Sequence, residues 1–290
     1  MTISNRIQTP EFSSGTIRVG GQAPPLVIAG PDSLESLDLA LTIARHLADL
    51  ADRLDITAVF KGSYYKANRS SHESYRGPGL REGLSILEAV RSETGLAVTS
   101  DVHDPEEAIV AGEILDLIQI PALLCRQNDL LQAAAKTGKM VNIKKGQFLS
   151  PFEIKGRVAA ATGPETPGVL ITERGTFFGY GEIVNDIRSV PRIRAQGVPL
   201  IFDVSHSVQR PAALGNRSGG DAELIPHVAR AAAGAGSDGY FFEVHPEPEN
   251  ALCDGPSSLQ LNHLESLIED LVAIDRVSRS LPAPRDAKDS

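Results

Sequence analysis

The sequence predicts an α/β protein in which eight β/α units close into a barrel. Short runs rich in β-branched residues recur along the 290 residues, and each is followed by a helical pattern. Runs such as LVIAG, PLIFDV and YFFEV are almost continuously apolar, which indicates parallel strands covered on both faces. Eight such units in a chain of this length are typical of a (β/α)8 TIM barrel. An open, doubly wound sheet is the alternative with the same local pattern.

The predicted strands follow one another from the first quarter of the chain to the last. They span residues 25–30, 56–62, 96–102, 115–122, 141–146, 168–175, 199–205 and 239–245. Helical stripes predict core positions, namely Leu37, Ala40, Ile43, Ala44 and Leu47 in the first helix and Leu261, Leu264, Leu267, Ile268 and Leu271 in the last. The segments TIRVGG and PLVIAG are predicted to form an N-terminal β-hairpin that closes one end of the barrel.

The predicted domain organisation has three parts. Residues 1–24 form an N-terminal extension with the hairpin, and residues 25–281 form the barrel. Residues 282–290 are rich in proline and charge, and are expected to be a flexible tail.

Composition limits the classes of partner. The net charge of -9 argues against nucleic acid or an anionic membrane, so an anionic ligand must be held by a local group of cations. The two cysteines, Cys125 and Cys253, lack metal-type spacing and are expected to be buried apolar residues. With no apolar signal core at the N-terminus, the sequence predicts a cytoplasmic protein.

Polar side chains collect where the predicted strands end, which is where barrel enzymes carry their chemistry. The groups that follow the strands are Asp32, Lys61, Lys66, Asn68, Arg69, Ser70, Asp101, His103, Gln119, Lys144, Lys145, Glu173, Arg174, Asp203, His206, Glu243, His245 and Asp254. A single lysine or arginine at a strand end is commonly a solvated residue. Lys144, however, lies in an apolar strand and must find an anion. His206 is interpreted as a ligand or acid/base, whereas His103 and His245 fit a structural role equally well.

Five of these side chains are cations: Lys61, Lys66, Arg69, Lys144 and Arg174. Five cations at one end of a barrel suit two phosphates and a carboxylate. The expected ligands are therefore a sugar phosphate and an acidic phosphorylated partner.

Long segments of the chain resemble one family of synthases. They are FKGSYYKANRSSHESYRGPGL, DLIQIPALLCRQNDLL, VNIKKGQFLSP, ITERGTFFGY, IFDVSHSVQRP and FEVHPEPENALCDGPS. Together they resemble the 3-deoxy-D-manno-octulosonate 8-phosphate synthase (2-dehydro-3-deoxyphosphooctonate aldolase) family. The resemblance implies condensation of phosphoenolpyruvate with D-arabinose 5-phosphate and water, giving 3-deoxy-D-manno-octulosonate 8-phosphate and inorganic phosphate. It also implies a cytoplasmic homotetramer in the biosynthesis of the lipopolysaccharide sugar Kdo.

The resemblance also implies roles for residues at matching positions. Phosphoenolpyruvate would be held by Lys61, Lys66, Gln119, Lys144 and Arg174, and the aldose phosphate by Asn68, Arg69 and Ser70. Arg126 would reach the sugar phosphate of a neighbouring subunit, or else is a surface arginine before a helix. The reacting water and the aldehyde would be oriented by Asp32, Asp101, His206, Glu243 and Asp254, directly or through a metal.

Other functions compete with this interpretation. The segment KANRSS resembles the octulosonate synthases, whereas relatives that use erythrose 4-phosphate resemble KPRTS at this position. Asn68 offers an amide to sugar hydroxyls where proline offers none, which favours the more hydroxylated aldose. A non-catalytic barrel that binds phosphosugars is a further alternative. An aldolase or isomerase would work without phosphoenolpyruvate, through a Schiff-base lysine or a proton-abstracting base.

The family resemblance leaves metal dependence open. Its metal-dependent members carry cysteine and its metal-independent members asparagine where this chain has Asp32. The set of Asp32, His206, Glu243 and Asp254 could bind Mn²⁺, Fe²⁺ or Zn²⁺. Against this, CDGPS resembles the metal-independent group, and Asp32 with Glu35 has the spacing of a helix capping box. A glycine-rich loop, residues 212–221, is predicted to close over the site when substrates bind.

Overall fold

The computed structural model describes residues 7–67, 75–210 and 219–281, and within them eight parallel strands close into a barrel. The barrel strands are β3 (Leu26–Gly30), β4 (Thr57–Lys61), β5 (Ala97–Asp101), β6 (Leu117–Ile120), β7 (Met140–Lys144), β8 (Val169–Glu173), β9 (Leu200–Asp203) and β12 (Gly239–His245). The other strands in the described residues are β1 (Phe12–Ser14), β2 (Ile17–Val19), β10 (Gln209–Arg210), β11 (Gly219–Gly220) and β13 (Leu259–Gln260). Strand β12 pairs with both β3 and β9, which closes the barrel. The predicted TIM barrel is confirmed, and the open doubly wound sheet is excluded.

Helices follow the barrel strands and cover the outside of the sheet. They are α1 (Leu37–Leu54), α2 (Leu80–Thr94), α3 (Pro105–Gly112), α4 (Asn128–Ala135), α5 (Ile154–Ala160), α6 (Ser189–Arg194), α7 (Ile225–Gly234) and α8 (Leu264–Ser280). None of the helices in the described residues is both long enough and apolar enough to cross a bilayer.

The N-terminal hairpin is present, but its strands differ from the predicted pair. Strand β1 pairs antiparallel with β2, so that Phe12 lies opposite Val19. The segment LVIAG is instead β3, which is buried along its length and has a parallel neighbour on each side. Ile17 and Val19 are buried against the apolar interior of the barrel, so the hairpin closes its N-terminal end as expected.

The start of α1 corrects two sequence-based expectations. The N-cap of the helix is Ser36, whose side chain accepts a hydrogen bond from Leu39 N, so Asp32 and Glu35 do not form a capping box. Leu37 is 40% exposed, because the first residue of the helix lies beyond the face that contacts the sheet. The rest of the predicted α1 stripe is buried, as are all five predicted positions at the end of the chain.

Side chains inside the barrel change from apolar to polar along most of its strands. An apolar layer at the N-terminal end contains Ile28, Val59, Leu117, Ile201 and Phe241 among others. Because side chains on one face of a strand recur every second residue, the next inward positions carry the polar groups. These positions are Lys61, Gln119, Asp203 and Glu243, and all four are buried. The barrel therefore holds its polar groups at the C-terminal ends of the strands, which we call the mouth.

One charged pair lies at the opposite end of the barrel. Arg194 of α6 donates two hydrogen bonds to Asp238, at 2.9 and 3.0 Å, and both side chains are almost fully buried. Asp238 also accepts hydrogen bonds from Leu200 N and from Thr9 in the N-terminal segment. This pair joins the beginning of the chain to the strands that close the barrel.

Candidate active site

Two lysines and two carboxylates form the centre of the mouth. Lys61, at the end of β4, donates to both oxygens of Glu243, at 2.9 and 3.1 Å, and to the main-chain oxygen of Asp32 at 2.7 Å. Lys66 donates to Asp32 Oδ1 at 2.5 Å. All four side chains are buried, and such burial is tolerated because each charge faces an opposite one.

A second group lies between β7 and β9. Lys144 donates to Asp203 Oδ2 at 2.9 Å and lies 3.6 Å above the ring of Phe241. The anion that Lys144 contacts is thus an internal carboxylate, and its role in holding phosphoenolpyruvate stays a prediction. The Nδ1 atom of His206 lies 2.8 Å from the same Asp203 oxygen, and its Nε2 lies 3.9 Å from Glu243 Oε1. Asp203 therefore fixes the imidazole so that Nε2 faces the centre of the mouth.

Burial and paired charge shift the acidities at the mouth in opposite directions. Burial raises the pKa of Glu243 to about 8, against the opposing charge of Lys61. Burial also acts to raise the pKa of Asp32, but Lys66 and Lys61 outweigh it and hold that pKa below its usual range. Burial lowers the pKa of His206, despite its contact with Asp203. Of these two carboxyl groups, Glu243 is therefore the one that takes up a proton more readily, and Asp32 is the one that stays ionised.

Asp101, at the end of β5, connects this centre to the other half of the mouth. Its carboxylate accepts hydrogen bonds from Ser63 Oγ, at 2.8 Å, and from the side-chain amide of Gln119. Lys66 Nζ lies 3.9 Å away. Burial would raise the pKa of Asp101, but Lys66 and Lys61 reverse the shift and lower it. Asp101 is thus an ionised, oriented acceptor beside Lys66.

Arg174 follows β8 and differs from the lysines in its contacts. Its NH2 group donates to Gln209 Oε1 at 2.9 Å, and Gln209 in turn donates to Asp254 Oδ2 at 2.7 Å. The Nε atom of Arg174 is buried and has no hydrogen-bond partner in the described part of the chain. A buried guanidinium donor without an acceptor is unfavourable by about 1–3 kcal/mol. Arg174 is accordingly the cation best prepared to receive an anionic ligand.

Three of the four predicted metal ligands lie close enough together to share one ion. Asp32, His206 and Asp254 each offer a ligand atom, and these atoms lie within 4.8 Å of one another. Both oxygens of Glu243, the fourth predicted ligand, accept hydrogen bonds from Lys61. Two carboxylates and an imidazole are ligands of the kind that a divalent transition ion takes, so three of the four predicted residues offer suitable ligand atoms close together.

Comparison with known proteins places these features in a family. Residues 3–277 match the DAHP synthetase I family. Three proteins named 2-dehydro-3-deoxyphosphooctonate aldolase are similar over nearly the whole chain. The relative from Pelobacter propionicus is 49% identical, covering 93% of this chain and 99% of its own length. The relative from Desulfatibacillum aliphaticivorans is 48% identical, with coverages of 93% and 99%, and that from Geotalea daltonii is 47% identical, with coverages of 92% and 98%.

The chain belongs to the DAHP synthetase I family. Within that family it is similar to the aldolases named above over the segments that carry the mouth residues, from Asp32 to Asp254. The family implied by the sequence motifs is thereby confirmed.

The other predicted site residues are either outside the described residues or not part of these contacts. Asn68, Arg69 and Ser70 fall outside the described residues, as do positions 212–218 of the predicted lid. Arg126 is exposed just before α4 and contacts no mouth residue in the hydrogen bonds or ion pairs described for the chain. His103 Nδ1 lies 3.0 Å from Glu107, and His245 accepts a hydrogen bond from Glu247 N. Cys125 and Cys253 are buried, as expected of small apolar residues.

Sequence reasoning gave no role to Asp203 or Gln209, yet each contacts two of the predicted site residues. Asp203 contacts Lys144 and His206, and Gln209 joins Arg174 to Asp254. The spacing of Asp203 and His206, three residues apart after an apolar strand, was an available signal. No local pattern pointed to Gln209, because its two partners come from distant parts of the chain.

Proposed function

We propose that this protein condenses phosphoenolpyruvate with D-arabinose 5-phosphate and water, giving 3-deoxy-D-manno-octulosonate 8-phosphate and inorganic phosphate. The observation that carries the proposal is the mouth itself, which holds the buried cations Lys61, Lys66, Lys144 and Arg174. In the described part of the chain, the buried Nε donor of Arg174 has no hydrogen-bond partner. The names of the relatives support the same reaction. The product would serve the synthesis of Kdo for lipopolysaccharide, in the cytoplasm.

Binding would exchange internal ion pairs for substrate contacts. Lys61, Lys66 and Lys144 contact Glu243, Asp32 and Asp203, so an incoming phosphate and carboxylate would compete for these ammonium groups. Gln119 and Arg174 would complete the phosphoenolpyruvate site. Asn68, Arg69 and Ser70 would hold the aldose phosphate. Fixing C3 of the enol against the aldehyde carbon supplies much of the rate enhancement by proximity.

The chemistry then requires proton transfer near two carbon atoms. As C3 bonds to the aldehyde carbon, the aldehyde oxygen needs a proton and positive charge grows at C2. Water adds to C2 and loses one proton, which gives a hemiketal phosphate. The C2 hydroxyl then loses the second proton as the C2 carbonyl forms, and the C2–O bond to phosphate breaks with its electron pair leaving on the phosphate. Glu243, with its pKa raised by burial to about 8, is suited to take or give a proton at neutral pH. Asp101 and His206 would orient the aldehyde and the water.

A divalent metal is compatible with three of the predicted ligands. Asp32, His206 and Asp254 would hold it, and the ion would supply Lewis-acid polarisation of a bound oxygen. Lys66 already neutralises Asp32 at 2.5 Å, so the ion would have to displace that ammonium group. Glu243 would join only after leaving Lys61. We propose Mn²⁺, Fe²⁺ or Zn²⁺ as the ion, with chelation lowering activity and Asp32→Asn giving an active, chelator-insensitive enzyme.

An exposed aromatic surface supports assembly into a homotetramer. Phe177, Phe178 and Tyr180 follow β8, and Phe178 is 84% exposed. Phe148 and Phe152, after β7, are also exposed, and Phe177 N donates to the main-chain oxygen of Gln147 beside them. Apolar surface concentrated on neighbouring loops is typical of protein interfaces. In such an assembly the exposed Arg126 could contribute to a neighbour's aldose phosphate site.

The test is a comparison of two aldoses. Release of inorganic phosphate from phosphoenolpyruvate is measured with arabinose 5-phosphate, with erythrose 4-phosphate and with neither, before and after exhaustive chelation. We expect release to require the aldose and to be fastest with arabinose 5-phosphate. Preference for erythrose 4-phosphate would replace the proposed substrate, and no release with either aldose would favour a non-catalytic barrel. Unchanged activity after chelation, with no metal found by elemental analysis, would exclude the metal.

The division of the substrate sites is tested by Arg69→Ala. Loss of a charge-assisted contact to phosphate, about 1.5–3 kcal/mol, should raise the KM for the aldose phosphate about ten- to a hundredfold. The affinity for phosphoenolpyruvate, measured by calorimetry, should change little. Equal losses for both substrates would mean that the two sites are wrongly divided.

A further inference from the structure

Three buried polar side chains and the partly buried Asp101 form a continuous hydrogen-bond chain across the β5–β8 side of the mouth. Thr172 Oγ1 donates to Asn142 Oδ1 at 2.7 Å, and Asn142 Nδ2 donates to Gln119 Oε1 at 3.2 Å. Gln119 Nε2 then donates to Asp101 Oδ1. Asp101, Gln119 and Asn142 are also direct register partners on three adjacent strands. The chain therefore follows the barrel wall and ends on a carboxylate at the mouth.

Every hydrogen bond in this chain runs in the same direction, and the charge on Asp101 explains why. An ionised carboxylate can only accept, so the amide nitrogen of Gln119 must face it and the amide oxygen must face away. That oxygen requires a donor, which fixes the Asn142 amide with its nitrogen toward Gln119. The Asn142 oxygen then faces Thr172, whose hydroxyl must donate. Reversing either amide would place two acceptors in contact.

Because these groups are buried, any change in the order of donors and acceptors along the hydrogen-bond chain is energetically unfavourable. Thr172 and Asn142 have no exposed surface, and Gln119 has 1%. Water therefore cannot easily replace a lost donor, and each buried acceptor depends on its neighbour. At the other end, Asp101 accepts from Ser63 and lies 3.9 Å from Lys66. A change at Thr172 is thus connected, through two amides, to the groups beside Lys66.

We propose that Asn142 and Thr172 are positioning residues, which orient the Gln119 amide and the Asp101 carboxylate through this one-directional chain. The role in turnover rests on the proposed function, because that function places Asp101 and Gln119 beside the substrates. Neither Asn142 nor Thr172 reacts in this scheme. Their contribution is to hold an acceptor and an amide in one orientation before the substrates arrive.

Matched substitutions at Thr172 test the chain. Thr172→Val keeps the shape and removes the donor, whereas Thr172→Ser keeps the hydroxyl. Asn142→Asp, nearly the same size, removes the donor to Gln119 and serves as a second variant if Thr172→Val does not fold. We expect kcat to fall about tenfold in Thr172→Val and further in Asn142→Asp, with the KM for phosphoenolpyruvate within twofold. Thr172→Ser should lie within twofold of the unchanged enzyme in both constants.

A second readout does not need turnover. Hydrogen exchange of the Gln119 side-chain amide is measured by NMR on protein with ¹⁵N in its glutamine side chains, using Gln119→Glu for assignment. Exchange should accelerate at least tenfold in Thr172→Val and Asn142→Asp, and return to the original rate in Thr172→Ser. Exchange within twofold of the original rate in both variants would contradict the proposal that the hydrogen-bond chain holds the Gln119 amide. Faster exchange with unchanged kcat would overturn the positioning role. If the unchanged protein shows no synthase activity, the proposed function fails while the exchange rates still decide whether the chain operates.

Discussion

Buried charges are paired differently at the two ends of the barrel. At the N-terminal end, Ile17 and Val19 close an apolar layer, and the charges of Arg194 and Asp238 are matched by two hydrogen bonds. At the mouth, several cations and carboxylates share partners, as Lys61 does with Glu243 and Asp32. The difference indicates that charge at the N-terminal end serves stability, whereas charge at the mouth is arranged so that a ligand can take it over.

Removing a mouth cation should produce the largest effect, and it should appear in catalysis. In Lys61→Met, Glu243 loses the donor to both of its oxygens, and kcat should fall about 10²–10⁴-fold. Stability should change little, because Glu243, whose pKa burial already raises to about 8, can take up a proton. Steady-state kinetics and thermal melting measure the two effects. Lys155→Met, at an exposed lysine of α5, is the control, and unfolding of Lys61→Met would contradict the comparison.

Removing a cation at the other end should affect stability instead. Arg194→Met takes both guanidinium donors from the buried Asp238, so the free energy of unfolding should fall by about 3–5 kcal/mol. Urea unfolding measures this loss, and kcat per folded molecule should not change. Arg192→Met, in the same helix, removes a partly exposed contact to Asp186 and should cost less than about 1 kcal/mol. Equal losses in the two variants, or a fall in kcat for Arg194→Met, would remove the distinction between the ends.

The smallest effect concerns pH. Burial acts to lower the pKa of His103, but the hydrogen bond to Glu107 and the charge of Asp101 raise it overall. Because the pKa of His103 is higher in the folded than in the unfolded protein, the contact between His103 and Glu107 contributes its full stability below about pH 6.5. This contribution is lost as pH rises through the folded-state pKa. Glu107→Gln should therefore lower stability more at pH 6 than at pH 9, by a few tenths to about 1 kcal/mol. The pair of Arg194 and Asp238 contains no histidine, so the loss of stability in Arg194→Met should vary less between pH 6 and pH 9. A larger loss at pH 9 than at pH 6 in Glu107→Gln would contradict the raised pKa of His103.

Much of the barrel could be predicted because parallel strands are buried on both faces and read as apolar runs. The hairpin partner of β2 could not be predicted, because β1 has the sequence FSS and no apolar alternation. LVIAG, which follows the next turn after β2, carries a stronger strand signal. Leu37 matched the helical spacing, but only the packing of α1 shows that the stripe begins after it.

The sequence predicts which residues lie at the mouth but not which of them contact one another. The rule that groups collect after barrel strands brought Asp32, Lys61, Lys144 and Glu243 together from the sequence alone. Which charge faces which depends on strand register around the whole barrel, and no local pattern contains it. The same is true of Asn142, which lies within an apolar run and gains its importance only from neighbours on β6 and β8.

The N-terminal hairpin has a consequence for the order of folding. Its strands pair only with each other among the described strands, while Thr9 beside it donates to Asp238, 229 positions later in the chain. The surface that receives Ile17 and Val19 is complete only when β12 has joined β3 and β9. During synthesis the hairpin emerges before the barrel strands, yet its docking site is complete only after β12 has been made. Docking of the hairpin is thus expected to be a late step, after the barrel has closed, with its two apolar side chains exposed to solvent or to a chaperone until then.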